Sequence, residues 1–361
     1  MGPNLLGWSG DGKHVLFFEP KRTKFHIEML PFNGGPAKEL PSGDCFFKEP
    51  VISPDRTKIG FISQTLSSPP EVFVSDITHF QPKQISAINS HLPSCTHIKT
   101  EIITWKSHDG LDIEGLLTYP KGFEEGKTYP MVAVIHGGPM GFFDETFIGT
   151  PLHYPLASFA EAGFLVFRPN PRGSTGYGEN FRCANYNDWG GSDYLDIMSG
   201  VDFLIERGLA DSDRLGIMGW SYGGYMTGWT VGQTSRFKAA SLGAGCYNLI
   251  SMSSTTDLSR LLPDYLGDFT TGTEIYRERS PLSHVTHIKT PCLIQHGIED
   301  KRVPVSQAYE LYHALERLGN KVKMVLYPGM GHRLTDPNMH LDSLKANLEW
   351  FTTHLLEATD D

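Results

Sequence analysis

The chain has 361 residues, of which 39% are hydrophobic and 20% are charged, and its formal net charge is −10. This composition is that of a globular protein with one large domain or two, and it excludes a disordered chain, a collagen-like repeat and a coiled coil. Lysine and arginine are scattered instead of clustered, which argues against a nucleic-acid partner or an anionic membrane surface. The sequence has no run of about 18 apolar residues, so we expect no membrane-spanning helix.

The cysteines do not follow the pattern of a disulfide framework or a zinc site. They are odd in number, and none forms a C-x-x-C pair. They are Cys45, Cys95, Cys183, Cys246 and Cys292. The first residues do not resemble a secretory signal, and no Asn-x-Ser/Thr acceptor occurs. We therefore expect buried or incidental thiols in a cytoplasmic protein.

The first part of the chain contains a repeat. The segment 9–18 recurs as 53–62, at a constant offset of 44 residues, and each copy is a turn of Ser, Gly, Pro or Asp followed by an apolar strand. A second strand follows in each copy, at Phe25–Leu30 and at Glu71–Asp76. A four-stranded unit that repeats every ~40–45 residues is typical of a β-propeller blade. We predict a partial β-propeller of about two blades over residues 1–90; two unrelated hairpins with similar turns are the alternative.

Residues 91–361 have a different pattern, in which short apolar strands alternate with helices. The first strands form a hairpin over Ile102–Trp105 and Leu111–Tyr119, and helices are predicted over Asp193–Arg207, Val305–Leu318 and Leu341–Leu355. The predicted buried strands are Met131–Ile135, Phe164–Arg168, Arg214–Met218, Ala239–Leu242, Cys292–Gln295 and Val322–Tyr327. This order predicts an α/β domain with a doubly wound, mainly parallel sheet, whose active site lies at the carboxyl ends of the strands.

The strongest chemical motif is Gly219-Trp-Ser221-Tyr-Gly223, which lies between a predicted strand and a predicted helix. The glycines lack the Cβ atoms that would clash in a tight strand-to-helix turn, so the serine hydroxyl is exposed above the sheet. A serine hydroxyl becomes a good nucleophile when a base removes its proton and an acid orients the base. Ser221 is therefore the predicted nucleophile.

The acid and the base are expected downstream, each in a loop that follows a strand, in the order Ser, Asp or Glu, His. Asp300 follows the strand that begins at Cys292, and the neighbouring Glu299 is its competitor. His332 stands in a glycine-containing loop after the last predicted strand, and His340 is its nearby rival. We predict a triad of Ser221, Asp300 and His332.

A tetrahedral intermediate also needs hydrogen-bond donors for its oxyanion. The turn His136-Gly-Gly-Pro139 follows a buried strand and can direct backbone amides inward, and the amide of Tyr222 is placed for the same purpose. An ordinary turn is the alternative for residues 136–139. No nucleotide-binding G-x-x-x-x-G-K-[ST] and no zinc-binding H-E-x-x-H motif occurs, and Cys246 lacks a base positioned by the sequence.

From about Ile102 to Phe351, the chain resembles the catalytic domain of the prolyl oligopeptidase family, nearest its acylaminoacyl-peptidase branch. Several separate motifs carry this resemblance in one order. They are His136-Gly-Gly-Pro139, Arg172-Gly-Ser-Thr-Gly-Tyr-Gly178, Asp188-Trp-Gly-Gly-Ser-Asp193, Gly219-Trp-Ser-Tyr-Gly-Gly-Tyr225, Tyr276-Arg-Glu-Arg-Ser-Pro281, His296-Gly-Ile-Glu-Asp300, Arg302-Val-Pro304 and Pro328-Gly-Met-Gly-His332. The stretch 172–178 is expected either to shape the substrate entrance or only to end a strand.

The resemblance implies an α/β-hydrolase fold preceded by a β-propeller. It also implies that Ser221 is the nucleophile, Asp300 orients, His332 is the base, and the amides of Gly138 and Tyr222 form the oxyanion hole. The implied activity is hydrolysis of short peptides near the N-terminus, of the acylaminoacyl-peptidase or dipeptidyl-peptidase type, with no metal or organic cofactor.

This sequence departs from the family pattern because most of the propeller is missing. A carboxylesterase that uses the same triad on short-chain esters is therefore the alternative function. A non-catalytic scaffold, whose blades bind a partner, is the alternative from another class, and the three triad residues argue against it. The edge strands of an unclosed propeller need cover, so the sequence is compatible with a homo-oligomer.

Overall fold

The structure, a computed structural model, describes residues 3–40, 46–92, 95, 97–150 and 153–357. Cys45 lies outside the described residues. Contacts between backbone segments divide the chain into two units. The first holds residues 1–97, 142–150 and 175–179, and the second holds residues 98–141, 151–174 and 180–361. The predicted domain limits of 1–90 and 91–361 stay a prediction.

The first unit contains two four-stranded antiparallel sheets. In each, the strands follow one another in chain order. The strands of the first sheet are β1 (Asn4–Trp8), β2 (His14–Lys21), β3 (Lys24–Pro31) and β4 (Lys38–Glu39), and those of the second are β5 (Lys48–Ile52), β6 (Lys58–Ser63), β7 (Glu71–Asp76) and β8 (Lys83–Gln84). An apolar cluster that includes Leu16, Phe47 and Phe61 forms the core.

The turns before β2 and β6 repeat in atomic detail. Ser9 Oγ donates to Asp11 Oδ1 at 2.6 Å, and Ser53 Oγ donates to Asp55 Oδ1 at 2.6 Å. Each aspartate also accepts a hydrogen bond from the backbone amide two residues later. The residue after the aspartate has a positive φ in both copies, 68° in the first and 61° in the second. The two sheets and these matching turns confirm the predicted partial β-propeller and not two unrelated hairpins.

The second unit is built on one eight-stranded sheet with helices packed against it. The strand order is β16-β15-β14-β13-β11-β12-β10-β9. The strands are β9 (Thr100–Lys106), β10 (Asp112–Thr118), β11 (Tyr129–Ile135), β12 (Leu165–Asn170), β13 (Ala210–Trp220), β14 (Ala239–Gly243), β15 (Cys292–Gly297) and β16 (Val322–Tyr327). In this order, the six neighbouring strands β16, β15, β14, β13, β11 and β12 pair in parallel. The strand β10 pairs antiparallel with both β12 and β9. This mixed, mainly parallel sheet confirms the predicted α/β-hydrolase fold.

The three predicted helices are found close to their predicted limits, with one clear difference at the start of the last. Within the described residues the helices are α1 (Leu156–Glu161), α2 (Glu179–Arg182), α3 (Ser192–Glu206), α4 (Tyr222–Gln233), α5 (Leu249–Thr255), α6 (Leu261–Leu266), α7 (Thr273–Glu278), α8 (Ser306–Arg317) and α9 (Pro337–Leu355), with a 3₁₀-helix over Pro281–His287. Helix α9 begins four residues before the predicted Leu341. Its cap is Asp336, whose side chain accepts the amides of Asn338 and Met339, and proline occupies the first turn.

The central strands of this sheet place the candidate site. The strands β11 and β13 are neighbours in the middle of the sheet, and their apolar residues are buried on both faces. Both end at the same edge, where β11 leads into His136 and β13 leads into Ser221. The loops after β15 and β16 leave from this edge as well, because all four strands run in parallel. Within the described residues, no helix is long and apolar enough to cross a membrane.

Candidate active site

Ser221 occupies a strained turn between β13 and α4. Its φ is 64° and its ψ is −123°, a backbone conformation that residues with a side chain rarely adopt. The glycines on both sides are required by close backbone contacts. A Cβ atom on Gly219 would collide with the backbone of Gly223, and a Cβ atom on Gly223 would collide with the carbonyl oxygen of Ile135. The sequence therefore folds locally into the nucleophile turn that the G-x-S-x-G spacing predicts.

His332 links Ser221 to Asp300. Its Nε2 lies 2.9 Å from Ser221 Oγ, and its Nδ1 lies 2.6 Å from Asp300 Oδ2. An ionised Asp300 only accepts hydrogen bonds, so Nδ1 carries the proton and Nε2 is free to accept the hydrogen of the serine hydroxyl. The structure thus brings together, in one chain of hydrogen bonds, three residues that are 32 to 111 positions apart.

The carboxylate of Asp300 is held in one orientation. Its Oδ1 accepts the backbone amides of Arg302 at 2.9 Å and Val303 at 3.0 Å, and its side chain is fully buried. Burial alone would raise its pKa, but hydrogen bonds from His296, His332 and the backbone of Val303 hold the pKa well below its usual range. Asp300 is therefore ionised at neutral pH and fixes the tautomer of His332.

The two alternatives for the acid and the base, Glu299 and His340, have different surroundings in the structure. Glu299, directly before Asp300, has an exposed side chain, whereas Asp300 is buried. His340 lies within α9, and its ring centroid is 6.2 Å from that of His153. It is His332 whose ring contacts Ser221 and Asp300.

The turn after β11 lies against Ser221. A Cβ atom on Gly137 would stand 3.3 Å from Ser221 Cβ and 3.9 Å from Ser221 Oγ. Gly138 has a φ of 134°, a conformation that favours glycine. Tyr222 is the first residue of α4, so its amide has no acceptor within the helix. The positive end of the helix dipole lies at this first turn, directly after Ser221. The candidate oxyanion amides therefore belong to the turn that follows β11 and to the residue that follows Ser221.

His136 is a brace for this turn and not a second base. Its Nε2 lies 2.9 Å from Ser174 Oγ, whose hydroxyl donates to the carbonyl of Pro171 at 2.6 Å. Burial lowers the pKa of His136 to about 4, against the smaller opposite effect of its contact with the Gly137 carbonyl. The imidazole is therefore neutral at neutral pH and anchors the residues that precede Gly138.

Several structural partners of the site were not predicted from the sequence. The indole Nε1 of Trp220 donates to the carbonyl oxygen of His332 at 2.9 Å, and the ring of His153 stacks on that indole. The hydroxyl of Tyr222 donates to the buried carboxyl group of Asp193. Burial, the largest effect, raises the pKa of Asp193 to about 7. Only the folded chain shows these contacts, because sequence spacing does not place residues from distant elements together.

Two other residues named in the sequence analysis, Arg172 and Cys246, have surroundings that fit a structural role. Arg172 forms ion pairs with the buried Asp196 at 2.8 Å and with Asp109 at 2.9 Å. Burial raises the pKa of the Cys246 thiol to about 12, so this thiol is protonated and unreactive at neutral pH. Within the residues that the structure describes, no group of three or more His, Cys, Asp and Glu side chains is arranged to hold a metal ion.

Comparison with known families identifies this arrangement. Residues 152–358 match the model of the prolyl oligopeptidase family. The chain belongs to the prolyl oligopeptidase family of serine peptidases. This confirms the resemblance found in the sequence motifs. The matched region contains Ser221, Asp300 and His332.

Two curated relatives align with nearly the whole chain. The acylamino-acid-releasing enzyme of Mus musculus is 27% identical over 368 residues, which are 96% of this chain and 50% of that protein. Dipeptidyl-peptidase 5 of Schizosaccharomyces pombe is 27% identical over 343 residues, which are 94% of this chain and 47% of that protein. The chain therefore spans about half the length of these relatives.

Solved structures of acylaminoacyl peptidases share the fold. The Pyrococcus horikoshii enzyme matches with a TM-score of 0.84 and 26% identity, covering 96% of this chain and 55% of that chain. An acylaminoacyl peptidase in complex with Z-Gly-Gly-Phe-chloromethyl ketone matches with a TM-score of 0.85 and 26% identity, covering 97% of this chain and 55% of that chain.

Proposed function

We propose that the chain is a serine peptidase that hydrolyses short peptides near their N-terminus through an acyl-enzyme. Ser221 is the nucleophile, His332 the general base, and Asp300 the residue that orients the base. The observation that supports this most strongly is the continuous chain of hydrogen bonds from Ser221 Oγ through His332 to Asp300, at 2.9 and 2.6 Å. This is the arrangement that turns a serine hydroxyl into a nucleophile.

In the acylation half of the proposed reaction, Ser221 Oγ attacks the scissile carbonyl carbon while His332 Nε2 accepts the hydroxyl proton. Negative charge develops on the carbonyl oxygen, and the amides of Gly138 and Tyr222 donate to it. The tetrahedral intermediate then collapses, the bond from carbon to nitrogen breaks, and His332 gives its proton to the leaving amine. The ionised Asp300 stabilises the imidazolium that forms between these two proton transfers.

In the second half, water replaces the leaving amine. His332 removes a proton from the water as its oxygen attacks the ester carbonyl, the same two amides stabilise the oxyanion, and the proton passes to Ser221 Oγ as the acid product leaves. The serine and the neutral histidine are then restored. Every proton that moves in this cycle passes through His332 Nε2.

The substrate class is proposed from the relatives and from a structurally similar peptidase in complex with a peptide derivative. The relatives named above are an acylamino-acid-releasing enzyme and a dipeptidyl-peptidase, so we propose a short peptide with either a blocked or a free N-terminus. A peptide also fits the complex of a structurally similar peptidase with a peptide chloromethyl ketone. We further propose that residues 1–90 and 91–361 are the two domains. A cytoplasmic location and a homo-oligomer remain predictions from the sequence.

A comparison of three substrates tests the proposal, with Ser221→Ala as the blank. The substrates are an N-acetyl-aminoacyl anilide, a dipeptidyl anilide with a free amine, and a short-chain nitrophenyl ester. We expect turnover of at least one anilide, and the preferred N-terminus will distinguish the acylaminoacyl type from the dipeptidyl type. Turnover of the ester alone would favour the carboxylesterase, and equal rates for the wild type and Ser221→Ala would reject both functions.

A further inference from the structure

A single tyrosine hydroxyl connects the two strand ends that lead into the site. Tyr154 Oη donates to the carbonyl oxygen of Ile135 at 2.9 Å and accepts the backbone amide of Trp220 at 3.0 Å. Ile135 is the last residue of β11, before the turn that contains Gly138. Trp220 is the last residue of β13, directly before Ser221. The hydroxyl thus lies between the turn of the oxyanion amide and the turn of the nucleophile.

His153, the residue before Tyr154, contacts the side chain of the same tryptophan. The ring of His153 stacks on the indole of Trp220, with a centroid distance of 4.5 Å and an interplanar angle of 3°. Burial, the largest effect, lowers the pKa of His153 to about 3. The stacked ring is therefore neutral at neutral pH and packs as a flat aromatic surface.

The indole extends this connection to the loop of the base. Trp220 Nε1 donates to the carbonyl oxygen of His332 at 2.9 Å. The residues 153 and 154 therefore hold Trp220 by its ring and by its amide, and Trp220 holds the backbone of His332. Three loops that follow three different strands, β11, β13 and β16, are joined through one tyrosine hydroxyl and one indole.

We propose that Tyr154 is a positioning residue for the reaction, because its hydroxyl fixes the distance between the turn of Gly138 and the turn of Ser221. This role rests on the proposed function. Tyr154 is buried, with 6% of its surface exposed. Its ring alone would fill the same space as phenylalanine, so packing does not require the hydroxyl. The hydroxyl satisfies one carbonyl and one amide, and those two atoms belong to the residues that precede the proposed oxyanion turn and nucleophile.

The decisive variant is Tyr154→Phe, which keeps the ring and removes both hydrogen bonds. The carbonyl of Ile135 and the amide of Trp220 lose their shared partner, so the two turns can shift relative to each other. A shift of about 1 Å in a catalytic group can lower the rate about 100-fold. We expect kcat to fall about 10- to 100-fold and KM to change less than about twofold, because the hydroxyl contacts backbone atoms of the site and not the substrate.

Tyr276→Phe is the matched control. Tyr276 is also buried, and its hydroxyl donates to a backbone carbonyl, that of Gly267, at 2.7 Å. The control therefore removes a buried tyrosine hydroxyl of the same type outside the three loops. We expect it to keep kcat within about twofold, even where its melting temperature falls as much as that of Tyr154→Phe. Hydrogen exchange at the Trp220 amide should accelerate at least about tenfold in Tyr154→Phe and stay unchanged in Tyr276→Phe.

Trp220→Phe tests the hydrogen bond from the indole to His332 separately from the hydrogen bonds of Tyr154. Phenylalanine keeps an aromatic ring beside His153 but cannot donate to His332. The variant should therefore impair the anilide more than the nitrophenyl ester, because only the anilide needs a proton from His332 on its leaving group. Tyr154→Phe should impair both substrates by similar factors, because the oxyanion forms with both.

The outcomes are distinguishable. If the wild type turns over no substrate and reacts with no fluorophosphonate, the proposed function is wrong. If the wild type is active and folded Tyr154→Phe retains kcat within about twofold, or if its KM rises while kcat is unchanged, the positioning role alone is overturned. An equal loss of kcat in Tyr276→Phe would also overturn it, since the effect would then follow from reduced stability.

Discussion

Replacing Asp300 by asparagine tests how the base is oriented. The carboxylate accepts two backbone amides on Oδ1 and the His332 ring on Oδ2. An asparagine keeps the first two bonds if its oxygen faces the amides of Arg302 and Val303. Its NH₂ group then faces His332 Nδ1, and two donors cannot form a hydrogen bond. The ring therefore changes tautomer, so its Nε2 carries the proton and can no longer accept that of Ser221.

The expected loss of kcat is large, because Asp300→Asn removes the base function of His332 while the fold is retained. A tautomer change of this kind lowers kcat by a factor of about 10⁴, which corresponds to about 5 kcal/mol of transition-state stabilisation. The backbone amides keep their acceptor, so we expect the folded loop to persist. The assay is steady-state hydrolysis of the best anilide by wild type and Asp300→Asn between about pH 6 and pH 10, together with a melting curve of each protein.

Asp257→Asn is the matched control, since it removes a carboxylate that contacts Arg302 in the loop of Asp300 without touching His332. Asp257 Oδ1 accepts Arg302 Nε at 2.7 Å, and both side chains are 43% exposed. Exposed pairs contribute about 0–1 kcal/mol to stability, so the control should retain activity within about twofold. A loss of less than tenfold in Asp300→Asn, in a folded protein, would refute the proposed role of Asp300.

Three further predictions concern stability, the nucleophile turn and the buried tyrosine beside it. The raised pKa of Asp193, about 7 against an ordinary 3.8, means that the folded chain keeps a proton that the unfolded chain releases, so the contribution of Asp193 to stability should fall from about pH 4 to pH 7. The lowered pKa values of His136 and His153 act in the opposite direction, so the test is the difference in unfolding free energy between the wild type and Asp193→Asn. In denaturant unfolding this difference should shift in favour of the variant as the pH rises, and a difference independent of pH would contradict the prediction. Gly223→Ala should abolish activity or folding, because its Cβ collides with the Ile135 carbonyl. Gly272→Ala places its Cβ 3.5 Å from the carbonyl oxygen of Asp268, so it should retain both activity and folding in the same rate and melting assays. Tyr222→Phe should lower the melting temperature because it leaves the Asp193 carboxyl without its hydroxyl partner; an unchanged melting temperature would show that this buried bond adds no stability.

The sequence predicts the parts of the fold that depend on local patterns. The strand over Val322–Tyr327 is found with the predicted limits, and the strands around Ile135 and Met218 are found with longer ones. The longer limits have a physical reason, because strand ends depend on pairing with a neighbour and not on the apolar run alone. Helix α9 begins earlier than its apolar pattern predicts, because the capping residues Asp336 and Pro337 precede that pattern.

The candidate site likewise contains residues that local sequence patterns predict and residues that they do not. Ser221, Asp300 and His332 could be proposed from the sequence, because each follows a strand and stands in a loop with a distinctive composition. The hydroxyl of Tyr154 and the indole of Trp220 could not, since their bonds go to backbone atoms of Ile135 and His332. A backbone acceptor has no residue type, so no motif in the sequence marks it.

Labelling with a fluorophosphonate tests the central claim most directly. The wild type and Ser221→Ala would be incubated with the reagent at neutral pH, and the site of modification would be mapped by peptide mass spectrometry. We predict one adduct, on Ser221, that is absent from Ser221→Ala and forms much more slowly in Asp300→Asn. An unmodified wild type, or an adduct at another residue that persists in Ser221→Ala, would contradict the assignment of Ser221 as the nucleophile.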